Sequence, residues 1–164
     1  MDKVFKADHL GLAGNPVILK LLSKQGDKLV LFTDTVIKVD RNAKLWKRIL
    51  LITDQAFYVL DVHTYKLKRR IGLQHIQMLC LSELNDNFFA VIVPSEYDYL
   101  LASARKTEIM AILVEASKKL QATGGTAIPV QFSNRFEYTV DSENVRVVTF
   151  EDTDGGVCTK ISTR

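Results

Sequence analysis

The chain has 164 residues, 47% of them hydrophobic and 25% charged, with a formal net charge of +3. These values are those of ordinary soluble globular proteins, and a chain of this length can bury a core without metal or disulfide staples. No apolar run is long enough to span a bilayer and no signal peptide opens the chain, so membrane contact is expected to be peripheral. The two cysteines, Cys80 and Cys158, have no paired spacing, which favours a reducing, intracellular setting.

The first predicted element is a short helix near the N-terminus. Asn15 is the expected N-cap, Pro16 suits the first helical position, and Gly26 lies just beyond the expected end.

Seven strand-like runs with short connections come next. They are rich in β-branched and aromatic residues and cover residues 28–40, 47–53, 56–62, 66–73, 76–81, 88–93 and 97–102. Only Asp54-Gln55 separates the second run from the third. That spacing is short enough for a hairpin turn, although the turn lacks the preferred glycine.

The hydrophobic period then changes from strand-like to helical. The residues at helical spacing are Ile109, Ile112, Leu113, Ala116 and Leu120. Gly124-Gly125 ends this pattern, and further strand-like runs follow at 130–140, 145–151 and 157–161.

Seven strands followed by one helix is the order of a pleckstrin-homology (PH) fold, a bent sandwich or partly open barrel capped by the helix. We therefore expect a mainly β protein with one C-terminal helix (α+β), a short N-terminal helix and a C-terminal β extension. The expected division is a helical lead-in at 1–27, a PH-like core at 28–122, and a β-hairpin extension packed on the core at 123–164. Other small β-barrels with a helix stay open as alternatives.

The positive charge is concentrated in one segment of the chain. Residues 38–70 contain nine basic and three acidic residues, a net of +6, so the remainder carries −3. Such asymmetry favours an anionic partner such as lipid, nucleic acid or an acidic protein, and the alternative is a solvated charged face.

Several segments resemble the tail homology 1 (TH1) domain of class I myosins. The segments are 37–41, 47–54 and 57–61, the basic run 65–71, the S-x-L-x-D-x-F-F pattern that begins at Ser82, 98–101, 106–108, and the closing runs 130–136 and 145–150. The likeness covers about residues 15 to 164. It implies a PH-like core with an added β extension that binds anionic phospholipids, phosphoinositide or phosphatidylserine, and links the actin cytoskeleton to membranes.

The family's phosphate-binding signature is a basic residue late in the first strand and an arginine at the start of the second. Lys38 and Arg48 occupy these positions. In a PH-like fold they would lie on the two stems of one loop, where the Arg48 fork could bind two phosphate oxygens and Lys38 would act as a compact charge. Arg41, Lys44 and Lys47 would add to the local potential and complete the predicted headgroup site.

Trp46 lies among these cations. It suits a membrane interface, and the alternative is a core tryptophan. Lys66, Lys68 and Arg70 would share one strand face by period 2 and are further membrane-contact candidates. The alternative is an edge strand that its lysines protect from aggregation.

Charge alone gives only weak attachment. Each cation near an anionic leaflet contributes about 1 kcal/mol, so a net of +6 gives at most ~6 kcal/mol, whereas micromolar binding needs about 8 kcal/mol. A phosphate pocket or Trp46 insertion would have to supply the rest.

We expect no enzyme activity, cofactor or bound metal. The chain has no G-x-x-x-x-G-K-[ST] loop and no G-x-S-x-G elbow, and its three histidines lack metal-ligand spacing.

The rival function is a protein-interaction module that contacts actin or another acidic surface through residues 66–70. Nucleic acid is not expected, because aromatic residues do not alternate with the basic ones, and Phe57, Tyr58, Phe88 and Phe89 are expected in the core. The expected protein is a monomer in isolation, peripheral at the cytoplasmic face of membranes.

Overall fold

The computed structural model describes residues 7–120 and 127–163. The described part contains helices α1 and α2 and strands β1 to β11. In chain order these are α1 (Pro16–Gln25), β1 (Val30–Val39), β2 (Leu45–Thr53), β3 (Ala56–Leu60), β4 (Leu67–Gly72), β5 (Met78–Leu81), β6 (Phe88–Ile92), β7 (Tyr99–Ala102), α2 (Lys106–Leu120), β8 (Val130–Phe132), β9 (Arg135–Thr139), β10 (Val145–Thr153) and β11 (Gly156–Thr163). All seven predicted core strands and both helices are therefore confirmed.

The chain divides into two compact units. The first comprises Met1–Val36, Lys47–Gln74 and Thr107–Ile128, and the second comprises Ile37–Trp46, His75–Lys106 and Pro129–Arg164. The predicted boundary between residues 122 and 123 lies outside the described residues, and the predicted three-part division stays a prediction.

Helix α1 begins and ends as its sequence predicts. The Asn15 carboxamide oxygen accepts a hydrogen bond from the Val17 N–H at 2.9 Å, and Pro16 occupies the first turn. Gly26 ends the helix with φ of 79°, a left-handed conformation that costs glycine little. The helix buries Ile18 and Leu22.

In the first unit the strands lie in the order β4-β3-β2-β1. The β2–β3 hairpin forms without glycine because the Thr53 hydroxyl accepts hydrogen bonds from the N–H groups of Gln55 and Ala56, both at 3.1 Å. One hydrophobic cluster unites Ile18 of α1 with Leu51 of β2 and Tyr58 of β3. This packing fixes the helix on the strand face.

In the second unit the end of β1 is followed by β7, β6, β5 and β8 in the order of the sheet, and β9, β10 and β11 form a separate sheet. Cys80 of β5 and Leu100 of β7 share a hydrophobic cluster with Phe136 and Tyr138 of β9 and Val148 of β10. The C-terminal strands thus pack on the strands of this unit.

The single run predicted at 130–140 is wrong in one respect, because it forms two strands. Strand β8 pairs in parallel with β5, whereas β9 pairs with β10 in the other sheet. The chain changes sheets at Ser133 and Asn134, where the Asn134 side chain accepts a hydrogen bond from the Glu83 N–H at 3.0 Å.

Candidate functional site

The connection between β1 and β2 is a tight turn built around Asp40. The Asp40 N–H donates to the Lys44 carbonyl at 2.8 Å. The Asp40 carboxylate accepts hydrogen bonds from the N–H groups of Asn42 at 2.8 Å and Lys44 at 2.9 Å. Ala43 completes the turn with φ of 63°, a left-handed conformation uncommon for alanine. An acidic residue therefore organises the centre of a basic segment.

Trp46 is bound to the same turn from outside. Its indole N–H donates to the other Asp40 oxygen at 2.7 Å, and 46% of the residue is exposed. The core alternative for Trp46 is therefore wrong. Its neighbour Leu45, which the sequence reasoning did not single out, is 64% exposed.

The Asp40 carboxylate stays ionised within this turn. Burial alone would raise the pKa of Asp40, but hydrogen bonds from Trp46, Lys44 and Asn42 and the charge of Lys38 outweigh burial, so that pKa is lowered. The ionised carboxylate thus accepts the hydrogen bonds that these N–H groups donate.

The turn presents a short run of exposed residues, Arg41–Trp46, which we call the basic tip. Every residue of this run is exposed, and the exposed Lys47 follows it. Cations and two large apolar side chains therefore lie side by side at one end of a hairpin.

The two residues of the predicted phosphate signature lie on either side of the basic tip in the chain. Lys38 is half-buried in β1, opposite Leu101, and its ammonium lies 4.7 Å from the centroid of the Tyr99 ring. Arg48 is half-buried in β2 and donates to the Lys47 carbonyl at 3.0 Å. Lys38 belongs to the second unit and Arg48 to the first, and their convergence on one phosphate stays a prediction.

Arg146 was not among the predicted site residues. This arginine of β10 donates from its guanidinium to the Arg41 carbonyl of the basic tip. The two residues are 105 positions apart in the chain, so no local pattern could have joined them. Only the tertiary fold brings the C-terminal sheet to the turn.

The predicted shared face of Lys66, Lys68 and Arg70 is wrong. The pairing register of β4 shifts between Val59 and Leu60 of β3, and such a bulge interrupts the alternation on which the prediction depended. Lys66 and Lys68 are exposed, whereas Arg70 is half-buried.

Arg70 belongs to a buried polar cluster. It donates to the two Asp27 oxygens at 3.1 and 3.2 Å and to the Tyr58 hydroxyl at 3.2 Å, and Tyr58 also donates to Asp27. Asp27 is 4% exposed. Burial and the hydrogen bond to Asp27 raise the pKa of Tyr58 above its ordinary range. The Arg70 charge thus compensates a buried carboxylate.

Two general features bound the chemistry of the described residues. Among these residues, no three or more His, Cys, Asp or Glu side chains form a group that could hold a metal ion. Within residues 7–120 and 127–163, no helix is long and apolar enough to cross a membrane.

Comparison with known proteins identifies the family. A family model described as "Unconventional myosin tail, actin- and lipid-binding" matches residues 1–163. The chain belongs to the myosin TH1 family.

The relatives of this TH1 chain are much longer proteins. It is 34% identical over 163 residues to the myosin IB heavy chain of Dictyostelium discoideum, which covers 94% of this chain and 14% of the relative. It is 30% identical over 159 residues to unconventional myosin-Ia of Mus musculus, covering 93% of this chain and 15% of that protein. The TH1 chain thus spans about one seventh of the relatives it matches.

Solved structures support the PH-like fold of the TH1 chain. The hSac2 domain of the human phosphoinositide phosphatase Sac2 superposes with a TM-score of 0.51 at 13% identity, covering 73% of this chain and 90% of that one. A DH/PH domain of human ARHGEF11 superposes with a TM-score of 0.50 at 17% identity, covering 70% of this chain and 34% of that one. At these identities the likeness concerns the fold alone.

Proposed function

We propose that this TH1 chain is a non-catalytic module that docks peripherally on anionic phospholipids, phosphoinositide or phosphatidylserine, at the cytoplasmic face of membranes. The observation that carries the proposal is the basic tip, a hydrogen-bonded turn on which Arg41, Lys44, Leu45 and Trp46 are all exposed. A lipid surface has anionic headgroups above an apolar layer. The cations of the basic tip can bind the headgroups, and its apolar side chains can enter the layer beneath them.

The magnitudes agree with reversible docking. The proposed headgroup ligands are five cations, namely Lys38, Arg41, Lys44, Lys47 and Arg48. At about 1 kcal/mol each near an anionic leaflet they contribute roughly 5 kcal/mol. Partial transfer of the Leu45 and Trp46 side chains out of water adds about 3 kcal/mol. The total is close to the roughly 8 kcal/mol of micromolar binding.

Vesicle co-sedimentation tests this function directly. The protein should sediment with vesicles that contain phosphatidylserine or phosphatidylinositol bisphosphate and should remain in solution with pure phosphatidylcholine. Arg48→Ala should weaken phosphoinositide binding, whereas Lys160→Gln, an exposed cation of β11, is the matched control. Failure to bind any anionic vesicle would overturn the proposal, and undiminished binding by Arg48→Ala would remove Arg48 from the headgroup site.

A second candidate function is contact with actin or another acidic protein surface through residues 66–70. Two observations favour it. The family description includes actin, and the exposed Lys68 lies in β4, which ends the strand order of its sheet, with the exposed Lys66 just before that strand. Co-sedimentation with filamentous actin tests it. Loss of actin binding in Lys66→Ala/Lys68→Ala with vesicle binding intact would assign the two partners to two surfaces, and equal actin binding by the double variant would exclude this strand.

The relatives named above are a myosin IB heavy chain and an unconventional myosin-Ia. In a protein that also carries a motor, we propose that a module of this kind links the actin cytoskeleton to the membrane. Its reversible attachment would let the link form and dissolve without covalent change.

A further inference from the structure

Two buried polar groups lie together near the base of the basic tip. Tyr138 of β9 and Arg146 of β10 are directly opposite each other in the strand register, so their side chains project from the same face of the sheet. Tyr138 is 1% exposed and Arg146 is half-buried. Within the described part of the chain, neither the Tyr138 hydroxyl nor the Arg146 Nε has a hydrogen-bond partner.

Such a pair is unusual because most buried polar groups are hydrogen-bonded, and an unpaired one carries a desolvation cost. Two of them side by side on one sheet face require an explanation. The Arg146 guanidinium also donates to the Arg41 carbonyl, so the unpaired groups are connected directly to the basic tip.

The electrostatic surroundings define what could bind there. Burial raises the pKa of Tyr138 to about 12, the charge of Arg146 opposes that effect and the charge of Asp40 adds to it. Tyr138 therefore keeps its proton and can donate a hydrogen bond. The Nε of Arg146 can only donate.

Two carboxylates act near this position: the charge of Asp40 acts on Tyr138, and the Asp141 carboxylate interacts with the charge of Arg41 in the basic tip. The Asp40 oxygens accept hydrogen bonds from Asn42, Lys44 and Trp46. Asp141 accepts from the N–H groups of Glu143 and Asn144, and these hydrogen bonds lower its pKa. Both carboxylates are thus engaged within their own turns.

Two donors on residues that face each other across β9 and β10, one of them cationic, match an anionic acceptor, and a phosphate oxygen is such an acceptor. We propose that Tyr138 and Arg146 form an additional phosphate-binding position at the base of the basic tip, which recognises a phosphate monoester. This inference rests on the proposed membrane function and adds to its site a pair of residues from the C-terminal sheet.

The Tyr138→Phe variant is the sharpest test because it removes one hydroxyl and leaves the ring. If the hydroxyl is only a structural imperfection, its removal leaves ligand binding unchanged. If it binds phosphate, affinity for phosphatidylinositol bisphosphate vesicles should fall about tenfold, a change typical of losing a hydrogen bond to a charged group. Binding to phosphatidylserine vesicles of matched surface charge should not change, and thermal stability should be equal or higher.

Arginine variants provide the matched comparison. Arg146→Lys keeps the charge but loses the Nε donor, so it should reproduce the selective loss for the phosphoinositide vesicles. Arg135→Gln removes an exposed arginine of β9 that pairs with Glu137 of the same strand, and it should leave the preference between the two vesicle types unchanged. Wild-type preference in both Tyr138→Phe and Arg146→Lys would overturn the inference.

Titration with soluble inositol trisphosphate distinguishes a free phosphate compound from a lipid headgroup as the ligand. It also tests the phosphate position independently of the membrane function. Saturable binding that weakens about tenfold in Tyr138→Phe would support the phosphate position even if the protein bound no vesicles, which would overturn only the membrane function. Equal inositol trisphosphate binding by wild type and Tyr138→Phe would overturn the phosphate position and leave the membrane function intact.

Discussion

At the residue scale, the hydrogen bonds of Asp40 explain how an acidic residue can lie at the centre of a basic segment. An aspartate inside a basic segment that is proposed to bind phosphate would ordinarily repel that ligand. Here its carboxylate accepts hydrogen bonds from Asn42, Lys44 and Trp46, and those bonds lower its pKa against the effect of burial. Asp40 thus organises the turn and directs its negative charge toward local N–H groups.

Trp46→Ala should weaken binding to phosphatidylserine vesicles about tenfold, because the apolar ring no longer leaves water on docking. Trp46 is the only tryptophan of the chain, so its fluorescence reports on it alone. In the wild type, emission should shift to shorter wavelength when anionic vesicles are added.

Tyr97→Ala is the control for Trp46→Ala, since Tyr97 is an aromatic residue outside the basic tip with the same exposed fraction, 46%. It should bind vesicles like the wild type. An unchanged emission wavelength during vesicle binding would show that Trp46 stays in water.

At the element scale, Arg70 of β4 has a structural role, whereas Lys66 and Lys68 are surface cations. Arg70→Ala would leave the buried Asp27 carboxylate without its cationic partner, with only the Tyr58 hydroxyl still donating to it among the side chains of this cluster. The Arg70 side chain is 27% exposed, so we expect a loss of unfolding free energy near the lower end of the range for broken buried pairs, about 3 kcal/mol. Lys68→Ala, at an exposed position two residues earlier, should change it by no more than about 0.5 kcal/mol. Urea unfolding measures both, and equal effects would contradict the assignment.

The same scale shows which elements could be predicted from sequence. The limits of α1 were predictable because Asn15 and Gly26 are local signals for its two ends. The bulge in β4 was not, because it arises from pairing with β3. The break between β8 and β9 was not either, because each strand joins a different sheet. Local chemistry sets the ends of elements, and partner strands set register and interruptions.

At the scale of the whole molecule, the candidate site was predictable in part. The charge excess of residues 38–70 and the family resemblance together pointed to the first hairpin, and its tip is indeed exposed. Arg146 and Tyr138 escaped prediction because they approach the tip through tertiary packing alone. A contiguous segment can predict where a surface lies, but not which distant strands complete it.

The proposed function depends on where the charge lies, not on the net charge of +3. Arg41→Gln/Lys44→Gln removes two cations from the basic tip, and Lys118→Gln/Lys119→Gln removes two exposed cations from the end of α2. The two double variants have the same net charge.

At about 1 kcal/mol per cation near an anionic leaflet, the first should lose roughly thirtyfold in affinity for phosphatidylserine vesicles. The second should bind like the wild type, because its cations lie outside the proposed docking surface. Co-sedimentation at several salt concentrations should also show a weaker salt dependence only in the first, because fewer of its charges interact with the leaflet. Equal losses in both variants would mean that diffuse attraction by the whole protein, and not the basic tip, holds it at the membrane.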